Sequence, residues 1–133
     1  MEIAGLIPNS TVDFPKVLAA VVFTRGCNMD CFYCHNRKLL DPCAPLIPSE
    51  EIFSFLYKRQ NLIDGLVITG GEPTLQEDLK SFIVEVKALN YKIKLDTNGS
   101  KPKVVQDLLE SNLLFYFAFL IFLGLCQSVL VIN

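Results

Sequence analysis

Short apolar runs alternate with amphipathic stretches along this chain. Residues 17–23, 65–69, 91–95 and 114–120 are rich in Val, Ile, Leu and aromatics and predict strands. Helical periods lie between them. Ser49 is placed to cap the first helix, and Glu50 and Glu51 suit the positive end of its dipole. Thr74 opens the second, and Glu77 three residues on completes a capping box. Its apolar stripe is Leu75, Leu79, Phe82, Ile83, Val86 and Leu89, close to a 3.6-residue repeat. Pro102 suits the first turn of the third helix, which buries Val104, Val105, Leu108 and Leu109.

Strands separated by helices imply βαβ units, so the expected class is α/β, with about four parallel strands and three helices making half of a (β/α) barrel. The residues before Val17 predict a lead-in hairpin or loop. A half-barrel also predicts an unpaired parallel edge, which invites association. Residues 111–133 carry no charge, and 113–125 are nearly all apolar. That run approaches the roughly 20 residues of a membrane span, but Gln127 and Ser128 interrupt it. It therefore reads as a buried strand with an atypical tail. The expected division is a core over residues 1–112 and an apolar segment over 113–133.

A chain of 133 residues has room for one domain with a single core. A formal charge of −2 with scattered Lys and Arg argues against a nucleic-acid footprint. Five cysteines are an odd number, and residues 1–12 are mixed, with Glu2 early, unlike a secretory leader. The expected setting is a reducing cytoplasm, where clustered cysteines bind metal rather than form disulfides. Cys43 and Cys126 read as free thiols.

The candidate chemistry lies in three polar motifs, each following a predicted strand, where such folds gather their chemistry. Cys27, Cys31 and Cys34 form a C-x3-C-x2-C loop. Three thiolates can hold three corners of a cubane iron–sulfur cluster, and with no fourth cysteine in the repeat one iron stays open for reaction. The competing metal is zinc, with Cys27, Cys31, Cys34 and either His35 or Cys43, although zinc ligands more often come as C-x2-C pairs. Gly70 and Gly71 allow a backbone to approach a ligand closely, and Glu72 offers a carboxylate to an ammonium group. The plainer reading is a strand-to-helix turn. In Asp96-Thr97-Asn98-Gly99 the Asn-Gly pair signals a turn, while Asp96 and Thr97 offer oxygens for a hydroxyl or a cation.

These motifs resemble those of a radical S-adenosylmethionine (SAM) enzyme. Within that superfamily the chain is most similar to activating proteins of anaerobic ribonucleoside-triphosphate reductase, kin of pyruvate formate-lyase activating enzyme. The resemblance covers about residues 1–112. It rests on Asp13-Phe14-Pro15, the run 21–27 ending Thr24-Arg25-Gly26-Cys27, Cys34-His35-Asn36, the run 68–76 around Gly70-Gly71-Glu72-Pro73, and Lys94-Leu95-Asp96-Thr97-Asn98-Gly99. It implies a partial radical SAM barrel in which Cys27, Cys31 and Cys34 hold a 4Fe–4S cluster whose open iron chelates SAM. Tyr33 would line the adenine pocket with its backbone. Gly70, Gly71 and Glu72 would receive the SAM amino group. Asp96 and Thr97 resemble residues near the SAM carboxylate that bind a monovalent cation in some relatives.

The implied reaction is reductive cleavage of SAM to methionine and a 5′-deoxyadenosyl radical, which takes a hydrogen atom from a glycine of the reductase. The implied partners are that reductase and a low-potential donor such as flavodoxin or ferredoxin. The other readings are an activator of a different glycyl-radical enzyme, such as pyruvate formate-lyase, or a noncatalytic iron–sulfur or zinc fragment tethered to a membrane. One stretch departs from the pattern. Where the family has a strand reading like Asp-Tyr-x-Ala-Met-Asp-Ile-Lys, residues 115–122 are all aromatic or aliphatic. The lost Met and Asp bear on the cation site, and the missing later strands mark the chain as C-terminally truncated relative to the family.

Overall fold

The structure, a computed structural model, describes residues 1–119 and 128–131, the last four through their backbone alone. Its strands are β1 (Ile3–Ser10), β2 (Ala19–Thr24), β3 (Gly65–Gly70), β4 (Lys92–Thr97), β5 (Tyr116–Phe119) and β6 (Ser128–Val131). Its helices are α1 (Ser49–Lys58), α2 (Leu79–Ala88) and α3 (Pro102–Glu110). The strands form one sheet in chain order. β2 to β5 run parallel and each crossover carries one helix, as the periodicity predicts.

The antiparallel flanks were less visible in the sequence. β1 pairs antiparallel with β2, so the lead-in hairpin is a full sheet strand. β6 pairs antiparallel with β5, from Tyr116 opposite Val131 to Phe119 opposite Ser128. The expected bare parallel edge is therefore absent among the described residues, because backbone pairing on both sides satisfies it. Leu120, placed at the end of the fourth predicted strand, and Cys126 lie outside the described residues.

Alternation along each strand separates two cores. Ala20, Val22, Leu66, Ile68, Ile93, Leu95 and Phe117 face the helices and pack on Ile52, Leu56, Leu79, Phe82, Ile83, Val86, Val105 and Leu108. On the opposite face, Ala19, Val21, Val67 and Tyr116 cluster with Phe14 and Val17. Phe14 is fully buried there. Its Asp13-Phe14-Pro15 turn is held by Ser10, whose hydroxyl donates to the Asp13 carboxylate at 2.5 Å and accepts from the Asp13 N–H at 3.1 Å.

Two helix starts differ from expectation. Ser49 is the first residue of α1, and Pro48 stands before it. Thr74 does not open α2. It lies in a 3-10 turn, Pro73–Leu75, and α2 begins at Leu79 after Asp78. Glu72 instead caps this turn: its carboxylate accepts the Thr74 N–H at 3.0 Å, the donor that Glu77 would take in a capping box. Among the described residues no helix is long and apolar enough to cross a membrane.

Candidate functional site

The parallel register sets Thr24 beside Gly70, and the segments following β2, β3 and β4 leave the sheet at its carboxyl edge. The first two interlock through their backbones. The Gly71 N–H donates to Thr24 O at 2.9 Å and the Glu72 N–H to Gly26 O at 2.8 Å. A Cβ on Gly70 would stand 2.3 Å from Thr24 N, and one on Gly71 would stand 1.9 Å from Gly26 O. Both obstacles are main chain, which cannot step aside. The glycine pair is therefore required first by the docking of β3 onto the run that leads into Cys27. Gly71→Ala should lower stability by about 1–3 kcal/mol or more through overpacking, read by urea unfolding of the metal-free chain. An unchanged midpoint would remove this packing role.

Glu72 is fully buried. One carboxylate oxygen accepts from the Thr74 N–H at 3.0 Å, the Thr97 hydroxyl at 2.6 Å and the Thr74 hydroxyl. The other accepts the Asn98 N–H at 2.6 Å. The carboxylate expected to be offered to an ammonium group is thus engaged by four donors of its own chain. Charge-assisted bonds of this kind are strong and hold the third loop onto the second.

Asp96 and Thr97, expected to act together on a cation, point to opposite faces because they are consecutive on a strand. Thr97 turns to Glu72. Asp96 forms a largely buried ion pair with Lys94, the residue two before it on the same face. Burial pushes the Asp96 carboxyl above its ordinary value, and the Lys94 ammonium and a hydrogen bond from Thr69 oppose that rise. Lys94 also lies 6.0 Å from the centre of the Tyr116 ring.

Residues 27–34 form a half-exposed loop pinned at several points. Arg25 begins it: its guanidinium meets Glu2 at 2.9 Å, Pro42 O at 2.7 Å and Ala44 O at 3.1 Å. The side-chain amide of Gln76 donates to Arg25 O at 3.1 Å. Gly26, with φ of 84°, donates to Leu39 O at 2.8 Å and so closes the loop's base. Within the loop the Cys34 N–H donates to Cys31 O at 3.0 Å. Arg37 spans it by pairing with Asp30 at 2.7 Å and donating to Cys31 O at 3.2 Å. The Tyr33 ring meets Phe32 edge-on at 5.1 Å.

Cys27, Cys31 and Cys34 are free and partly accessible, and Cys43 is exposed. The Cys27 sulfur accepts the Met29 N–H at 3.4 Å and the Asn98 Nδ2–H at 3.7 Å. Three cysteine sulfurs on one loop, one of them already met by N–H donors, form a donor set that fits an iron–sulfur cluster. Among the described residues no three His, Cys, Asp or Glu side chains converge as one metal ion would need. Cys27, Cys31 and Cys34 are thus not drawn together around a single point among the described residues. His35 is exposed. Beside Cys34 a cleft of about 430 Å³ is lined by Gly5, Phe23, His35, Arg37, Lys38 and Leu39.

Sequence reasoning missed the parts of this site that join distant segments. Asn98 reads as a turn residue, yet its side chain reaches Cys27 and Asn28. Arg25 and Gln76 carry no local signal of their role beyond their place beside the cysteine and glycine motifs.

Comparison with known proteins bears on the same residues. The family model described as the Radical SAM superfamily matches residues 21–121. A Methanocaldococcus jannaschii protein named as a glycyl-radical enzyme activating enzyme is 40% identical over 123 residues, covering 87% of this chain and 48% of that protein. A second from the same organism, named likewise, is 36% identical over 90 residues, covering 67% of this chain and 34% of that protein. A Pyrococcus horikoshii protein named as a GTP 3′,8-cyclase is 34% identical over 97 residues, covering 72% of this chain and 31% of that protein. This chain thus spans about half the length of these relatives or less. Relatives named for two different reactions match it, so the shared stretch speaks to common chemistry more than to a substrate.

Proposed function

The chain belongs to the radical SAM superfamily, whose members use a 4Fe–4S cluster and SAM, and from that premise we propose that it is the cofactor-binding part of a glycyl-radical enzyme activating protein. The finer assignment within this reading is anaerobic ribonucleoside-triphosphate reductase as the protein activated. The observation that carries the reading is the Cys27 sulfur, held as an N–H acceptor on a three-cysteine loop at the carboxyl edge of a parallel sheet.

In this reading Cys27, Cys31 and Cys34 hold the cluster. When bound and reduced, the cluster supplies the electron that cleaves the SAM sulfonium carbon–sulfur bond to give methionine and a 5′-deoxyadenosyl radical. The protein's own task is to fix and shield the reactants. Arg25 and Gly26 hold the loop base. The main chain of Gly70 and Gly71 meets the SAM amino group, with Glu72 acting behind them by fastening the third loop. The backbone at Tyr33 flanks the adenine. Asp96, buried in its pair with Lys94, would lie on the side of the SAM carboxylate, and Thr97 would contribute through Glu72. The partners are the glycyl-radical protein and a low-potential donor such as flavodoxin or ferredoxin.

The test is anaerobic reconstitution with iron and sulfide, then dithionite and SAM, measuring 5′-deoxyadenosine. We expect four irons per chain and product formation. Adding the reductase should then give a glycyl-radical signal in electron paramagnetic resonance. A loaded cluster without product would make the chain a binding fragment. Product without a signal on the reductase would shift the assignment to another glycyl-radical enzyme, with pyruvate formate-lyase tested next.

A further inference from the structure

We propose that Asn98 is a positioning residue that raises the cluster's reduction potential through the hydrogen bond from its Nδ2 to the Cys27 sulfur. The inference rests on Cys27 being a cluster ligand. Asn98 is fixed from three directions. Its N–H donates to Glu72 at 2.6 Å, its Oδ1 accepts the Ser100 N–H at 2.9 Å, and its Nδ2 donates to Asn28 Oδ1 at 2.9 Å. The bond to Ser100 settles the amide orientation, with oxygen away from the loop and nitrogen toward it. The same nitrogen lies 3.7 Å from Cys27 Sγ.

Among the described residues Cys27 alone of the three ligand candidates has N–H donors on its sulfur. One comes from Met29 in its own loop, and the other arrives from the end of β4, 71 residues away. Reduction adds negative charge to the cluster and its sulfurs. An N–H dipole aimed at one sulfur stabilises that added charge more than the oxidised state, so it makes reduction easier. Glu72 holds the Asn98 backbone and through it aims the amide.

The experiment is a redox titration of the reconstituted cluster, followed by electron paramagnetic resonance, in the wild-type chain, Asn98→Ala and Asn98→Asp. Asn98→Ala should take up wild-type iron and sulfide and show a lower midpoint potential. Asn98→Asp keeps an acceptor for Ser100 but loses the donor and adds charge, so its midpoint should fall further. If the alanine chain does not fold, the aspartate chain decides. Wild-type midpoints in the loaded variants would overturn the proposal and leave the functional reading intact. Failure of both variants to load, with wild type loading, would also overturn it by making Asn98 a requirement for assembly. A wild-type chain that takes up no sulfide would instead defeat the functional reading beneath.

Discussion

Replacing Cys31 with alanine is expected to leave the chain folded and to remove both the cluster and 5′-deoxyadenosine formation. The loop around Cys31 is held through its carbonyl, which accepts from the Cys34 N–H and the Arg37 guanidinium, so truncating the thiol keeps that scaffold. The side chain is only partly buried. A change of this kind alters stability by roughly 0.5 kcal/mol or less. Cluster binding responds differently. Loss of a residue supporting a ligand already weakens metal binding by about 10–100-fold, and loss of one ligand of three leaves one more iron without protein sulfur. Iron and acid-labile sulfide should fall to background, with thermal unfolding of the metal-free chain unchanged. Retention of a full cluster would remove Cys31 from the ligand set. A folded apo-chain whose melting point drops sharply would mean that the thiol packs rather than ligates.

Glu72→Ala carries the largest expected effect on stability. The carboxylate is fully buried and takes hydrogen bonds from two backbone N–H groups and two hydroxyls. Removing it strands the buried N–H of Thr74 and the part-buried N–H of Asn98 and leaves two hydroxyls unpaired, and a buried donor without a partner costs about 1–3 kcal/mol. A total loss of about 3–5 kcal/mol is expected, a large share of the roughly 5–15 kcal/mol that holds a domain folded. Glu72→Gln should fall between the two, since an amide has one acceptor where the carboxylate has two and turns an NH2 toward existing donors. Urea unfolding of the metal-free chain, with no SAM present, is the deciding measurement. If Glu72→Ala unfolds at the wild-type urea concentration, the clamp does not hold the loops, and Glu72 is left free for a ligand.

The periodicity of the chain exposed the three helices and four parallel strands because the stripe Leu79, Phe82, Ile83 and Val86 and the runs around Val22 and Ile68 meet one shared core. β1 was harder to see. Ile3–Ser10 contains Gly5, Pro8 and Asn9, which are poor strand formers, and its pairing comes from β2 rather than from its own propensity. Thr74 misled for a related reason. A Thr followed by Glu three residues later fits a capping box, but Glu72 reached the Thr74 N–H first. β4 ran two residues past its predicted end, and this extension sends Asp96 and Thr97 to opposite faces.

For the site, residue type and spacing alone singled out Cys27, Cys31 and Cys34, and three thiols within eight residues of one loop need no distant partner to be proposed as a cluster-binding set. The carboxyl-edge position of all three motifs also followed from local order, since each motif directly succeeds an apolar run. What Glu72, Asp96, Thr97 and Asn98 do could come only from the folded chain. A carboxylate looks the same in a sequence whether it awaits a ligand or is closed over by Thr97 and Asn98, 25 and 26 residues away. Burial and long-range hydrogen bonding assign those polar groups, and both exist only once the three loops have been brought together at one edge of the sheet.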